Sequence, residues 1–143
     1  MIGMVVVLTM VTASCMKQNE YVEIEGSWNI SVDDTFIDIE DPIALAPYTH
    51  VCLAVPQEWV VEHARDGLAF RDSLRVGGRL VTSQGSVPLN NPYLRGQRTS
   101  PRMCFLTGWS DSLRDSFRIE QLVFHSNTRV RVTTVSIRSS FEL

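Results

Sequence analysis

The sequence predicts a mainly β protein, an antiparallel β-sandwich of Greek-key or jelly-roll type that carries one short helix. Three observations support this fold class. Apolar and polar residues alternate with a period of two through most of the chain, only one segment has a helical period, and turn-forming residues recur roughly every ten residues. At 143 residues with 44% hydrophobic content, the chain has the size and composition of one globular domain. A small α+β sheet with the helix on one face is the alternative architecture.

The N-terminal segment is apolar and differs from the rest of the chain. Residues 1–14 contain no charged side chain, and they are too few to span a bilayer core, which takes roughly 20 helical residues. The run Val11-Thr12-Ala13-Ser14-Cys15 resembles the lipobox of bacterial lipoproteins, in which small residues precede a cysteine that is lipidated. The resemblance implies that residues 1–14 are a signal peptide, that Cys15 carries the lipid and that residues 15–20 form a tether. A secretory signal cut elsewhere and a cytoplasmic chain are the alternatives.

The resemblance also implies a location and a redox environment. A lipid on Cys15 anchors residues 21–143, the single domain, at a bacterial cell envelope, and Met16 in the next position favours the outer membrane, with the domain facing the periplasm. Disulfides persist in such an oxidising compartment, and with Cys15 lipidated the chain keeps one even pair, Cys52 and Cys104. We predict a disulfide between these two. Two buried free thiols are the alternative.

Four segments early in the domain predict strands, and one predicts the helix. The strands are expected at residues 21–25, 28–33, 37–40 and 48–55. The last of these is more continuously apolar, which is typical of a central strand covered on both faces. The segment that follows, residues 56–67, starts with a proline and ends with a glycine, and it predicts a helix of about ten residues.

The middle of the domain is rich in turn-forming residues. Gly77-Gly78 lies between two short apolar runs and predicts a two-residue hairpin turn. Residues 83–102 contain several proline, glycine and asparagine residues and predict a long surface loop. A short strand over residues 103–106 is expected after that loop.

The C-terminal part predicts two long strands, over residues 117–125 and 128–138. In each strand the apolar positions change phase midway. One extra residue in a strand has that effect, so we predict β-bulges near Gln121 and Thr133.

Charge is distributed unevenly along the chain. Residues 16–66 hold eleven acids against two bases, whereas residues 67–143 hold eleven arginines against five acids. One interpretation is that acidic and arginine-bearing strands pair with each other inside the fold. The functional interpretation is a basic recognition edge, suited to an acidic protein partner or an anionic glycan. Its expected members are Tyr93, Arg95, Arg98 and Arg102 of the predicted loop.

Trp109 lies in a predicted turn beside small polar residues. An exposed tryptophan there could stack on a sugar ring, and a partly buried loop anchor is the alternative.

Several functional classes are disfavoured by the sequence. The net charge of -3 and the single lysine, Lys17, argue against nucleic-acid binding. His50, His63 and His125 occur in no metal-ligand spacing, and no nucleophile elbow or phosphate-binding glycine loop is present. We therefore expect no metal, no cofactor and no enzyme activity. Catalysis would require a histidine such as His50 or His125 to meet a carboxylate in a cleft.

Two classes of function remain in the sequence. The first is a non-catalytic, lipid-anchored binding module that recognises a protein partner in the cell envelope; its sharper form is an immunity or inhibitor protein that blocks a secreted toxin. The second is a carbohydrate-binding or envelope-assembly β-sandwich lipoprotein. A small rigid sandwich with exposed loops suits either class.

Overall fold

The computed structural model describes residues 20–66, 69–97, 100–107 and 117–140. In these ranges the chain forms eleven strands and one helix, so the predicted mainly β class is confirmed. Their bounds are β1 Glu20–Ile30, β2 Thr35–Ala44, β3 Tyr48–Ala54, α1 Gln57–His63, β4 Ala64–Asp66, β5 Ala69–Phe70, β6 Val76–Thr82, β7 Gly85–Leu89, β8 Tyr93–Gln97, β9 Ser100–Thr107, β10 Arg118–Ser126 and β11 Val130–Ser140.

Most of the strands belong to two antiparallel sheets. The five-stranded sheet has the order β1-β11-β3-β9-β8, and the four-stranded sheet has the order β2-β10-β6-β7. The strands pair from the two ends of the chain inward: β1 with β11, β2 with β10, β3 with β9, and β6 with β7. A long hairpin rolled into two sheets has this pairing, which is the jelly-roll arrangement, and β8 is added at one edge. The predicted sandwich is correct and the α+β alternative is not.

The hydrophobic core lies between the two sheets. Alternate residues of each strand point into it, as Val51 and Leu53 do on β3, and both are fully buried. Phe105 of β9 and Phe124 of β10 meet across the core with their ring centroids 6.0 Å apart. The period of two in the sequence therefore corresponds to an inner apolar face and an outer face on each sheet.

The helix is shorter than the sequence predicts. α1 ends at His63, and Ala64–Asp66 form strand β4, which pairs with β5. The backbone N–H of Arg71 donates to the carbonyl of His63, and this contact replaces the bond that another helical turn would supply. Trp59 of α1 is buried in the hydrophobic core. No helix among the described residues is long and apolar enough to cross a membrane.

The predicted hairpin turn at Gly77-Gly78 is wrong, because both glycines lie inside strand β6. A Cβ atom on Gly78 would lie 1.8 Å from the carbonyl oxygen of Val123 on β10. Glycine is therefore needed here for the close approach of two backbones and not for a turn. The hairpin turn lies at residues 83–84, between β6 and β7.

The predicted long loop over residues 83–102 is also wrong. This segment contains β7, β8 and the start of β9. Pro88 is tolerated because β7 is an edge strand of its sheet, where a missing N–H breaks no ladder. Gly96 has φ +94 within the edge strand β8, a backbone conformation that favours glycine. Local residue preferences thus indicated turns where the tertiary structure places edge strands.

The bulge predicted near Gln121 is confirmed, whereas the extra residue predicted on the last strand near Thr133 lies on its neighbour β1. The register of β10 against both neighbours shifts between Ile119 and Gln121. In the pairing of β1 with β11, two residues of β1 lie opposite Thr133, so the extra residue belongs to β1. β1 begins at Glu20, the last residue assigned to the tether, and ends at Ile30, so Val32 lies in the following turn and is exposed.

Candidate functional site

The outer face of the five-stranded sheet carries a cluster of arginine, histidine and tyrosine side chains around one pocket. Because Val51 and Leu53 of β3 point into the core, His50 and Cys52 point outward. The same alternation on the neighbouring strands brings further outward residues beside them. We call this surface the arginine face, and we define it by Tyr21, His50, Tyr93, Arg95, Arg102, Leu106, Ser136 and Arg138.

A disulfide lies at the centre of the arginine face. Cys52 on β3 and Cys104 on β9 are direct cross-strand partners with a Cα–Cα distance of 4.1 Å, and they are bonded, as the sequence predicts. Tyr93 lies opposite Cys104 on β8, and its hydroxyl is hydrogen bonded to His50 Nδ1 on β3 at 3.0 Å. The tyrosine therefore reaches across β9, and Cys104 is fully buried.

Basic side chains lie on both sides of the disulfide. Arg95 and Arg102 face each other on β8 and β9, and Arg138 faces His50 on β11 and β3. The two pairs are displaced from the disulfide in opposite directions, so they lie about 14 Å apart along the strands. Arginine side chains are long enough to reach toward the disulfide from each side. The three arginines and Cys52 line an open pocket with a volume of about 240 Å³.

The three arginines differ in their partners. Arg102 contacts Glu23 with an N–O distance of 3.7 Å and donates to the Ser136 hydroxyl at 3.2 Å. The Arg138 guanidinium lies 5.7 Å from the centroid of the Tyr21 ring, a cation–π distance. Arg95 has no ion pair or hydrogen bond within the described residues. The pocket thus combines three guanidinium groups with one contacting carboxylate.

His50 lies in a partly buried and electropositive environment. Partial burial, followed by the positive charges of Arg95 and Arg138, lowers the pKa of His50 below its ordinary value of 6.5. His50 is therefore mostly neutral at pH 7, and Tyr93 is its hydrogen-bonding partner.

Part of the opposed charge of the two chain halves is neutralised inside the fold. Three ion pairs join an acid from the first half to an arginine from the second, with N–O distances of 3.4 to 3.7 Å. They are Asp34–Arg79, Glu23–Arg102 and Glu20–Arg118. This supports the pairing interpretation of the charge pattern, but Arg95 and Arg138 of the arginine face pair with no acid in the part of the chain that the structure describes.

Three of the residues predicted for partner binding come together, although on strands and not on a loop. Tyr93, Arg95 and Arg102 lie on adjacent strands β8 and β9 of the arginine face. Arg98 and Trp109 lie outside the described residues, and so does Cys15, the predicted lipidation site.

Sequence reasoning missed Tyr21, His50, Ser136 and Arg138 as members of the site. Their outward positions were available from strand alternation, since Ser136 and Arg138 flank the inward residue Ile137. What the sequence does not give is that β11 lies beside β3, far away in the chain. That adjacency brings Arg138 to the pocket.

We also considered catalytic and metal-binding groups elsewhere in the described part of the chain. His125 lies on β10 of the four-stranded sheet, and Asp34 lies in the connection between β1 and β2. His125 Nδ1 is 3.8 Å from the Asp34 carboxylate, which is too long for a hydrogen bond, and about half of each side chain is exposed. In the described ranges, no three histidine, cysteine or acidic side chains form a group that could hold a metal ion.

Comparison with known proteins adds no relative: no family model matches the chain, and no curated protein or solved structure matches it either.

Proposed function

We propose that this protein is a non-catalytic binding module that recognises an acidic protein partner through the arginine face. The observation that carries the proposal is the gathering of Arg95, Arg102 and Arg138 around one pocket with a single contacting carboxylate, Glu23. Such an excess of positive charge attracts an acidic surface and accelerates encounter with it.

The uncharged residues of the arginine face favour a protein partner. Tyr21 and Leu106 are large apolar side chains with more than half of their surface exposed, at 53% and 52%. Tyr21 and Leu106 lie next to Arg138 and His50 in the strand register. Binding energy in protein interfaces is concentrated in tyrosine, tryptophan and arginine side chains, and two of these types lie here together. A rigid sheet also presents them at little entropic cost.

The proposed place of action is the bacterial cell envelope. In this proposal a lipid on Cys15 holds the domain at the outer membrane, facing the periplasm, and residues 16–19 connect the lipid to β1. The Cys52–Cys104 disulfide supports export, because such bonds persist in oxidising compartments. One form of this function is an immunity or inhibitor protein that covers the acidic active site of a secreted toxin.

The proposal is tested with an acidic model peptide. The purified protein is exposed to an immobilised peptide of alternating glutamate and serine and to a matched glutamine–serine peptide, and binding is followed by interferometry. We expect binding to the glutamate peptide only, with a steep loss as salt is raised from about 50 to 500 mM.

Matched variants locate the surface. Replacing Arg95 and Arg138 together by glutamine should weaken binding at least tenfold, about 1.4 kcal/mol. Arg131→Gln is the control, because Arg131 is an exposed arginine on the same strand as Arg138, about 23 Å from it. Equal loss of binding in the control and the double variant would overturn the proposal, as would equal binding of both peptides.

A further inference from the structure

The pocket holds more positive charge than its own side chains neutralise. Arg95, Arg102 and Arg138 line it, Glu23 contacts only Arg102, and His50 is mostly neutral at pH 7. Counting the described residues alone, the pocket therefore carries two uncompensated positive charges. The cation–π contact of Arg138 with Tyr21 uses the face of the guanidinium and leaves its charge in place.

The cross-strand register makes this arrangement costly without an anion. Arg95 and Arg102 are direct partners on β8 and β9, and like charges in that position destabilise a sheet. Arg102 turns toward Ser136 and Glu23, on the side away from β8, whereas Arg95 has no ion pair or hydrogen bond among the described residues. An anion between the two sides of the pocket would relieve the repulsion.

The donors and the dimensions fit a compact anion. A guanidinium presents several N–H groups in one plane, which bind two oxygens of one anion at once, and the Ser136 hydroxyl can add a further hydrogen bond. The pocket volume of about 240 Å³ is far larger than the roughly 10–15 Å³ that one water molecule needs on the same measure. This holds a four-oxygen anion together with the first atoms of the molecule to which it is attached.

We propose that the pocket binds a doubly charged tetrahedral oxyanion, a sulfate or phosphoryl group, between Arg95 and Arg138 over the Cys52–Cys104 disulfide. Two charges on the anion match the two uncompensated charges of the pocket, whereas a single carboxylate matches one. The disulfide gives the site an uncharged floor, which strengthens the interaction of the arginines with the anion. The inference goes beyond the proposed protein partner and does not require it, because a small anion can occupy the pocket alone.

The test uses sodium sulfate, which keeps two negative charges over the working pH range. Amide chemical shifts of the purified protein are followed by NMR as sulfate is added, with sodium chloride at matched ionic strength as reference. We expect saturable shifts of the Gly96 and Ser136 amides. The affinity for sulfate should be at least tenfold lower in Arg95→Gln and in Arg138→Gln. Arg131→Gln should bind sulfate as the native protein does, and acetate should bind at least tenfold more weakly than sulfate.

Thermal unfolding by circular dichroism verifies that each variant is folded before its binding is compared. Shifts that rise linearly with sulfate would overturn the inference, as would equal binding in Arg95→Gln and Arg131→Gln, or acetate binding as tight as sulfate. If the protein binds sulfate but does not bind the glutamate peptide, the proposed protein partner is overturned and the anion site is still supported.

Two further ligands identify the source of the anion. Binding of glucose 6-phosphate at the same residues supports a soluble phosphate ester, and binding of phosphatidic acid vesicles supports a lipid headgroup. Binding of sulfate alone supports a sulfate group. For each of these ligands, binding must be at least tenfold weaker in Arg95→Gln than in the native protein.

Discussion

Arg95 and Arg102 lie directly opposite each other on strands β8 and β9, so two positive side chains share one cross-strand position. Opposed like charges lower the stability of a sheet, and a free protein has no evident need for them. Residues that serve binding are often those that cost stability, which agrees with the binding role proposed for this surface.

Removing the charge of Arg95 should therefore stabilise the free protein. We expect Arg95→Gln to raise the free energy of unfolding by about 0.5 kcal/mol at low salt, within the range for opposed charges. Urea unfolding measures the change, and the gain should shrink near 0.5 M salt because the repulsion is screened. Arg131→Gln is the control, since Arg131 faces the uncharged Asn29. A clear loss of stability in Arg95→Gln would contradict the account.

His50 should lose its proton more readily than an exposed histidine. Burial and the charges of Arg95 and Arg138 lower its pKa in the folded protein below 6.5, whereas the unfolded chain keeps the ordinary value. The unfolded state then binds more protons, so stability falls as pH drops below 6.5 and levels off beneath the folded pKa. NMR titration of the ring protons measures this pKa.

Two variants give the control for His50. Arg138→Gln should raise the pKa of His50 toward 6.5, because it removes one of the causes of the shift, and Arg131→Gln should leave it unchanged. Tyr93 also contacts the His50 ring, through the hydrogen bond to Nδ1, and it is unaltered in both variants. A His50 pKa above 6.5 in the native protein would show that the pocket is not electropositive.

The disulfide should contribute strongly to stability. Replacing Cys52 and Cys104 together by alanine is expected to lower the free energy of unfolding by about 2–4 kcal/mol, because the bond restricts the unfolded chain between positions 52 residues apart. Urea unfolding without reductant gives the value. Dithiothreitol should destabilise the native protein by a similar amount and leave the double variant unaffected. A double variant as stable as the native protein would disprove the contribution.

Much of the fold was predictable because burial follows a simple alternation. Val51 and Leu53 point inward on β3, as their spacing indicates, and the cysteine count led to the bonded pair. The composition of residues 83–102 predicts a loop, because proline, glycine and asparagine favour turns locally. Edge strands such as β7 and β8 accept these residues, since one side of an edge strand carries no ladder bonds.

The site was only half predictable. Tyr93, Arg95 and Arg102 are predictable as a group because they are close together in the chain. Arg138 and His50 complete the pocket only because β11 and β3 are neighbours in the five-stranded sheet. Strand order is a property of the whole chain, and no local pattern around Arg138 encodes it.

Lipidation of Cys15 is tested by expression of the full chain in a bacterium and mass spectrometry of the membrane fraction. We expect an N-terminus that begins at Cys15 and carries acyl chains, because the preceding residues resemble a lipobox. Cys15→Ser should abolish acylation and release the protein from that fraction, with the domain still folded. A native protein that keeps Met1 and stays in the cytosol would contradict the proposed location.

The most direct measurement of the central claim is an NMR map of the protein with the glutamate–serine peptide bound. If the arginine face is the binding surface, the amides that shift will cluster at β1, β3, β8 and β11, around Tyr21, His50, Arg95 and Arg138. Shifts confined to the outer face of the four-stranded sheet, around Phe36 and His125, would contradict the claim.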